Sequence, residues 1–132
     1  MTRPTVAVVL VVDVANVMGS RPDGWWRDRL GSASRLLGQL AGVGSLTLHD
    51  ENLVFERILA VVEGKAKGAV GPDPVEVIRA TADGDSTIVA VAAEVVAEGR
   101  IPLVVTADRG LRARLPHEAL VAGPRTLLDA LG

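Results

Sequence analysis

The feature that most constrains this sequence is the uninterrupted apolar run VAVVLVV at residues 6–12. Five of its seven residues are valines, and no polar residue alternates with them. A strand with one solvated face would alternate, so this pattern is typical of a strand covered on both faces, as in a parallel sheet. The run ends at Asp13. We therefore expect a central strand whose carboxyl end carries a carboxylate.

Strand-like and helix-like segments alternate along the rest of the chain. A loop over 14–24 leads to a helix over 25–40, and a mobile loop is expected over 64–74. Residues 46–48 and 53–55 either pair as a short hairpin or lead into a strand over 57–62. The later elements are a strand at 75–79, a helix at 86–98, a strand at 101–106, a helix at 107–115, a strand at 119–122 and a helix at 124–131. For 132 residues, this order predicts a single domain over 1–132, a three-layer α/β/α sandwich with a mostly parallel five-stranded sheet.

Composition narrows the chemistry. The chain has no Cys, which excludes disulfides, thiolate zinc sites and a Cys nucleophile. The net charge is −2, so no overall basic field indicates nucleic acid, although 12 of the 14 basic residues are Arg, the better partner for phosphate. Asp13 interrupts the first apolar run and no long apolar span follows. We expect a cytoplasmic protein without a membrane partner.

Acidic residues follow four of the predicted strands. Asp13, Glu63 and Asp108 come after three of the apolar runs, and Asp83 with Asp85 comes after another. The carboxyl ends of parallel strands share one edge of the sheet, so these side chains should gather there. Gathered carboxylates repel one another, and a divalent cation would relieve that repulsion. Mg²⁺ or Mn²⁺ prefers such oxygen ligands, so the pattern predicts a metal site.

Each of these residues also has an ordinary structural interpretation. Asp85 alone is explained as the N-cap of the helix at 86–98, whose positive end would hold it ionised. Asp13 alone is explained as an Asx-turn residue. Asn16, three residues later, would place its amide on a substrate or on the loop backbone, and Thr106 would hydrogen-bond Asp108. The coincidence of Asp at three strand ends is what favours the metal site.

Three segments resemble the NYN domains, a branch of the PIN-like nuclease superfamily. They are VVLVVDVANVMGS at 8–20, DGDSTIVAVA at 83–92 and IPLVVTADRGLRARL at 101–115, and they occur in the order of the family. The resemblance covers most of the chain. The stretch GSRPDGWWR at 19–27 is a departure, because it is not a general feature of the superfamily.

The resemblance implies a PIN-like fold and Mg²⁺- or Mn²⁺-dependent cleavage of RNA phosphodiesters by an endoribonuclease. It implies Asp13, Asp85 and Asp108 as metal ligands and catalytic residues, with Asn16 as the supporting polar residue. Asp83 and Glu63 compete for the place of a fourth carboxylate. The implied partner is RNA, and a second copy of the chain and an inhibitory protein are further candidates.

Basic and hydroxyl residues near the acidic positions are the candidates for substrate contact. They are Arg21, Lys65, Ser86, Thr106 and Arg109, and Arg112 and Arg114 share the predicted helix at 107–115 with Arg109. The competing interpretation of these arginines is a solvated helix face. Trp25 and Trp26 are two of only three aromatic residues. One is expected in the core and the other at the mouth of the crevice, where it could stack on a base.

Two other functions remain open at this point. The same carboxylates would serve a metal-dependent phosphohydrolase acting on small nucleotides such as nucleoside triphosphates, or the site could be degenerate and the chain a binding domain. An extended basic groove would favour the nuclease, and a closed pocket would favour the phosphohydrolase. A P-loop and a G-x-S-x-G nucleophile elbow are both absent from the sequence.

Overall fold

A computed structural model describes residues 4–132 of the chain, and its centre is the strand that the apolar run predicts. This strand, β1, spans Thr5–Asp13, and every residue from Val8 to Val12 has no exposed surface. It pairs in parallel with β3, Glu51–Val62, on one side and with β5, Pro102–Val105, on the other. The prediction of a central parallel strand ending at Asp13 is confirmed.

The sheet has six strands among the described residues, one more than predicted, and it is mixed. Its order is β2, β3, β1, β5, β6, and β4 adds to β3. The remaining strands are β2, Ser45–Leu48, β4, Val75–Arg79, and β6, Leu120–Ala122. Only β2 runs antiparallel to its neighbour. It forms the hairpin that the sequence left open, through a two-residue turn in which His49 and Asp50 have φ of 50° and 64°.

The segment after β1 differs from its prediction. Residues expected to begin a loop instead form a helix, α1, at Val14–Gly19, because Val14, Val17 and Met18 give it a buried face and Asp13 caps it. The helix expected over 25–40 is divided. Its first residues form a 3₁₀ turn at Trp25–Arg27, and α2 spans Arg29–Leu40 behind the cap residue Asp28. The expected loop over 64–74 also contains a 3₁₀ turn, at Gly64–Gly68.

Helices cover both faces of the sheet, so the three-layer α/β/α sandwich is confirmed. The other three helices are α3, Gly84–Ala97, α4, Arg109–Arg114, and α5, Pro124–Leu131. Val8, Leu10 and Val12 of β1 share one apolar cluster with residues of α1, α2 and α5. Val9 and Val11 share the other cluster with residues of α3 and α4. This alternation of β1 side chains between two covered faces explains why its sequence is apolar throughout.

Within residues 4–132, no helix combines the length and apolar character that a membrane crossing requires.

Candidate active site

Asp13 is the most enclosed acidic residue at the carboxyl edge of the sheet. The residue is only 7% exposed, although it carries a carboxylate. One carboxylate oxygen accepts a hydrogen bond from the backbone N–H of Asn16 at 3.3 Å, and the other accepts one from the Thr106 hydroxyl at 2.9 Å. Burial raises the pKa of Asp13, the two hydrogen bonds oppose the rise, and the charges of Asp85 and Glu63 add to it. Asp13 therefore faces other carboxylates.

Thr106 and Asn16 connect Asp13 to the loop between β5 and α4. The register pairs Val12 with Val105, which brings Thr106 beside Asp13. Thr106 is fully buried, and its hydroxyl also accepts the backbone N–H of Asp108 at 3.2 Å. The Asn16 side-chain oxygen accepts the backbone N–H of Ala107 at 2.7 Å. The expected pairing of Thr106 with Asp108 is thus made through the Asp108 backbone, while the hydroxyl proton goes to Asp13.

Two further acidic residues each hold the start of a helix. Asp108 caps α4 by accepting the backbone N–H of Leu111 at 3.0 Å. Glu63, directly after β3, accepts the backbone N–H of Gly84 at 2.6 Å. A Cβ at position 84 would lie 2.8 Å from the same Glu63 oxygen. Gly84 is therefore the residue that lets the Glu63 carboxylate approach the first turn of α3, and sequence reasoning missed its role.

The cap of α3 is Asp83, and the interpretation of Asp85 as that cap is wrong. Asp83 accepts hydrogen bonds from the backbone N–H of Ser86 at 2.7 Å and from its hydroxyl at 3.1 Å, and these bonds lower its pKa. Asp85 lies in the first turn instead. Burial and then the neighbouring charges of Asp108, Glu63 and Asp83 raise the pKa of Asp85. Burial and these charges therefore oppose the helix dipole, which was expected to favour the ionised form of Asp85.

Asp13, Glu63, Asp85 and Asp108 therefore form one acidic cluster, linked by mutual repulsion. Asp85 responds to Glu63 and Asp108, and Asp13 responds to Asp85 and Glu63. Across residues 4–132, no three acidic or histidine side chains lie close enough together to make a complete metal-ligand set. Mg²⁺ commonly binds one or two carboxylates and keeps several waters, so an all-oxygen cluster without a third tight ligand still suits its chemistry.

The predicted substrate-contact residues separate into those near the acidic cluster and those engaged elsewhere. The Ser86 hydroxyl accepts a guanidinium N–H of Arg114 at 3.2 Å, and the charge of Arg114 lowers the pKa of both Asp83 and Asp85. Arg114, rather than Arg109, is thus the arginine of α4 shown to face the carboxylates. The Arg21 guanidinium donates to the side chain of Gln39 at 2.6 Å, away from these contacts.

The remaining candidates have less direct positions. Lys65 and Arg109 are exposed. Thr106 has no exposed surface and touches Asp13, which assigns it to positioning rather than to solvent-facing contact. Arg112 donates two hydrogen bonds to the backbone carbonyl of Thr106, at 2.8 and 3.1 Å, and so holds that loop.

Two open clefts adjoin the acidic cluster, with Trp25 lining both. One has a volume of about 340 Å³ and is bordered by Asn16 and Ala107. The other has a volume of about 430 Å³ and is bordered by Glu63 and Asp83. The guanidinium carbon of Arg29 lies 5.4 Å from the centroid of the Trp25 ring. The edge of the sheet is therefore open to solvent on both sides of Trp25.

Fold and site together define an α/β sandwich whose polar residues gather at the carboxyl ends of the parallel strands, the usual place for a site in such a sheet. No protein-family model and no curated protein matches the chain. Among solved structures, the chain is similar to a crystal structure of a point mutant of Rae1 (YacP) from Bacillus subtilis. The TM-score is 0.73 at 21% identity, and the match covers 94% of this chain and 74% of that one. The likeness supports the predicted fold.

Proposed function

We propose that the chain is a metal-dependent endoribonuclease whose Mg²⁺ or Mn²⁺ ion is held by Asp13, Asp85 and Asp108, directly or through the waters that such an ion keeps. The observation that carries the proposal is the enclosure of Asp13. Asp13 is 7% exposed, its carboxylate is fixed by two hydrogen bonds, and the charges of Asp85 and Glu63 act on it. Folding alone gives no reason to gather like charges in this way, whereas a divalent cation offsets their repulsion.

Glu63 is the better candidate for the fourth carboxylate. Both Asp13 and Asp85 respond to its charge, whereas Asp83 acts on Asp85 and commits both of its oxygens to Ser86. Glu63 uses one oxygen to accept the N–H of Gly84. Its other oxygen would be available to the metal or to a water that the metal holds.

The proposed reaction is hydrolysis of a phosphodiester, in which water adds to phosphorus as the bond to the leaving oxygen breaks. When bound, the divalent ion supplies a Lewis acid that lowers the pKa of water and offsets charge on the phosphate oxygens. Thr106 and the Asn16 backbone fix the Asp13 carboxylate in one orientation. Arg114, which already faces two carboxylates, provides a guanidinium for a phosphate oxygen.

The shape of the site favours a polymer over a small nucleotide. The two clefts beside the cluster are open rather than enclosed. A phosphohydrolase for small nucleotides usually buries most of its ligand in a concave pocket. The same openness leaves room for a chain that continues in both directions. Homodimerisation and an inhibitory protein partner stay predictions.

The experiment is a titration of Mn²⁺ into metal-free protein by calorimetry, followed by incubation of the same samples with labelled single-stranded RNA and with nucleoside triphosphates. The test variant is Asp85→Asn. The matched control is Asp50→Asn, because Asp50 lies in the β2–β3 turn, at the other end of β3 from Glu63. A twelve-residue strand places the two ends roughly 40 Å apart.

We expect the wild type and Asp50→Asn to bind Mn²⁺ and to cut RNA only with the metal. We expect Asp85→Asn to lose both properties. Hydrolysis of triphosphates without RNA cutting would replace the proposal by the phosphohydrolase. A wild type that binds no metal and cuts no RNA would leave a binding domain.

A further inference from the structure

The cleft between Trp25 and the start of α5 has the dimensions and walls of a site for a flat aromatic ligand. Its volume is about 340 Å³, and it is open to solvent, so it can admit one base of a longer strand. Small residues form much of its lining, so the indole ring is the one large aromatic surface that it presents. The principal lining residues are Ala15, Asn16, Gly19, Trp25, Ala107 and Pro124.

The Trp25 ring has two close side-chain neighbours. The Arg29 guanidinium lies over it, and the Trp26 ring meets it edge to face with 6.3 Å between the ring centroids. A Cβ added at Gly19 would lie 3.6 Å from the ring, an ordinary contact distance. Trp26, by contrast, is 56% exposed and does not line the cleft. The two tryptophans therefore occupy different environments.

This cleft is continuous with the acidic cluster through Asn16. The Asn16 backbone N–H donates to Asp13, its side-chain oxygen accepts from Ala107, and both Asn16 and Ala107 line the cleft. A ligand that stacks on Trp25 would thus lie beside Asn16, whose backbone N–H donates to the carboxylate that is proposed to hold the metal. A nucleotide carries a flat base a short distance from its phosphate. It could therefore place the base on Trp25 and the phosphate at the acidic cluster.

We propose that the cleft binds an unpaired nucleobase next to the scissile phosphate, with Trp25 as the stacking surface. The inference rests on the proposed nuclease function and adds the substrate class, a single-stranded RNA. A base within a duplex is already stacked on both faces and cannot enter the cleft without being extruded. Stacking on an aromatic side chain is sequence-tolerant, so the cleft would select for an unpaired strand rather than for one base.

The tryptophans allow a test that does not depend on cleavage. In Trp26→Leu the only indole left is Trp25, and in Trp25→Leu it is Trp26, because the chain has two tryptophans. Fluorescence of each variant would be measured during titration with a short single-stranded RNA, its duplex and adenosine 5′-monophosphate, without divalent metal. Steady-state cleavage with Mn²⁺ would be measured in parallel for both variants, for Trp25→Phe and for Gly19→Leu, whose side chain would lie against the Trp25 ring in the cleft.

We expect single-stranded RNA to quench the fluorescence of Trp26→Leu and to leave that of Trp25→Leu unchanged. The duplex should quench Trp26→Leu less than the single strand does. Loss of stacking should raise the KM of Trp25→Leu by about 5- to 150-fold. Trp25→Phe should recover most of this loss, and Trp26→Leu should cleave like the wild type. Circular dichroism would establish that Trp25→Leu is folded, and Gly19→Leu tests the cleft independently while keeping the indole.

Three results would overturn the inference. One is wild-type KM in both Trp25→Leu and Gly19→Leu while RNA cutting persists, which would leave the nuclease proposal standing. Another is equal loss in Trp25→Leu and Trp26→Leu, which would indicate a general surface effect. The third is quenching of Trp25 by the duplex as strong as that by the single strand, because the proposal requires an unpaired base. If RNA quenches Trp25 but the protein does not cleave RNA, the base site is supported and the nuclease proposal is refuted.

Discussion

Replacing Thr106 by Val tests whether the enclosed carboxylate depends on a single hydroxyl. Thr106 is fully buried, donates to Asp13 at 2.9 Å and accepts from the Asp108 backbone at 3.2 Å. A hydrogen bond to a charged group contributes about 1.5–3 kcal/mol and a neutral one about 0.5–1.5 kcal/mol. The added methyl group recovers about 0.8 kcal/mol. We expect a net loss of about 2–3 kcal/mol in the free energy of unfolding at neutral pH.

The loss should depend on pH, and its sign follows from Asp13. Burial raises the pKa of Asp13, so this residue makes the folded state less stable as the pH rises through the acidic range. Removing the Thr106 donor raises that pKa further, so the penalty is largest when Asp13 is ionised. At a pH low enough to protonate Asp13, both lost bonds are neutral and the penalty should fall to about 1–2 kcal/mol.

The assay is urea unfolding followed by circular dichroism at neutral and at acidic pH. A loss of about 2–3 kcal/mol corresponds to a fall of roughly 1 M in the urea midpoint for a domain of this size. The matched control is Thr87→Val. The Thr87 hydroxyl donates to the neutral backbone carbonyl of Asp83 at 3.2 Å. Its removal should therefore cost less stability and should show no such pH dependence. Combining Thr106→Val with Asp13→Asn isolates the interaction energy between these two side chains. Equal costs of Thr106→Val in the wild-type and Asp13→Asn backgrounds would refute the reasoning.

Three further predictions concern the acidic cluster and one helix. Asp13→Asn should abolish metal-dependent activity yet raise the urea midpoint at neutral pH, because it removes a carboxylate whose pKa burial and two neighbouring charges raise; a lower midpoint would contradict this. Gly84→Ala should push the Glu63 carboxylate from its 2.6 Å bond, since the new Cβ would lie 2.8 Å from it, and should reduce activity in a folded protein. Gly38 lies inside α2, and a Cβ added there would meet no atom within 4 Å. Gly38→Ala should therefore raise the free energy of unfolding by about 0.5–1 kcal/mol and leave activity unchanged, as unfolding and cleavage assays would show.

The layers of the fold could be predicted because the apolar segments are long and their pattern is simple. A strand such as β1, with every residue from Val8 to Val12 buried, must be covered on both faces, and that alone requires helices on two sides. The short elements carried weaker signals. Helix α1 has only six residues, and Asn16, Gly19 and Ser20 beside its apolar positions are residues that also favour loops. The hairpin turn at His49 and Asp50 lacks the glycine that usually marks such a turn.

The gathering of acidic residues at one edge of the sheet could be predicted, but the individual contacts of these residues could not. The order of strands and acidic residues was enough to expect Asp13, Asp85 and Asp108 at one edge. Which aspartate caps α3 depends on a difference of two residues at the start of that helix, and propensity does not resolve it. The role of Gly84 depends on Glu63, which lies 21 residues earlier in the chain. Only the folded structure places those two residues together.

The hydrogen bond between Asp13 and Thr106 joins residues 93 positions apart. During synthesis, the ribosome must add all of these residues before the bond can form, which takes roughly 5–20 s at ordinary elongation rates. Until then, the growing chain contains Asp13 without its hydroxyl donor and without the strand that aligns it. The nascent protein therefore has no assembled acidic cluster. Any activity of that cluster begins only after the β5 segment has been made and has paired with β1.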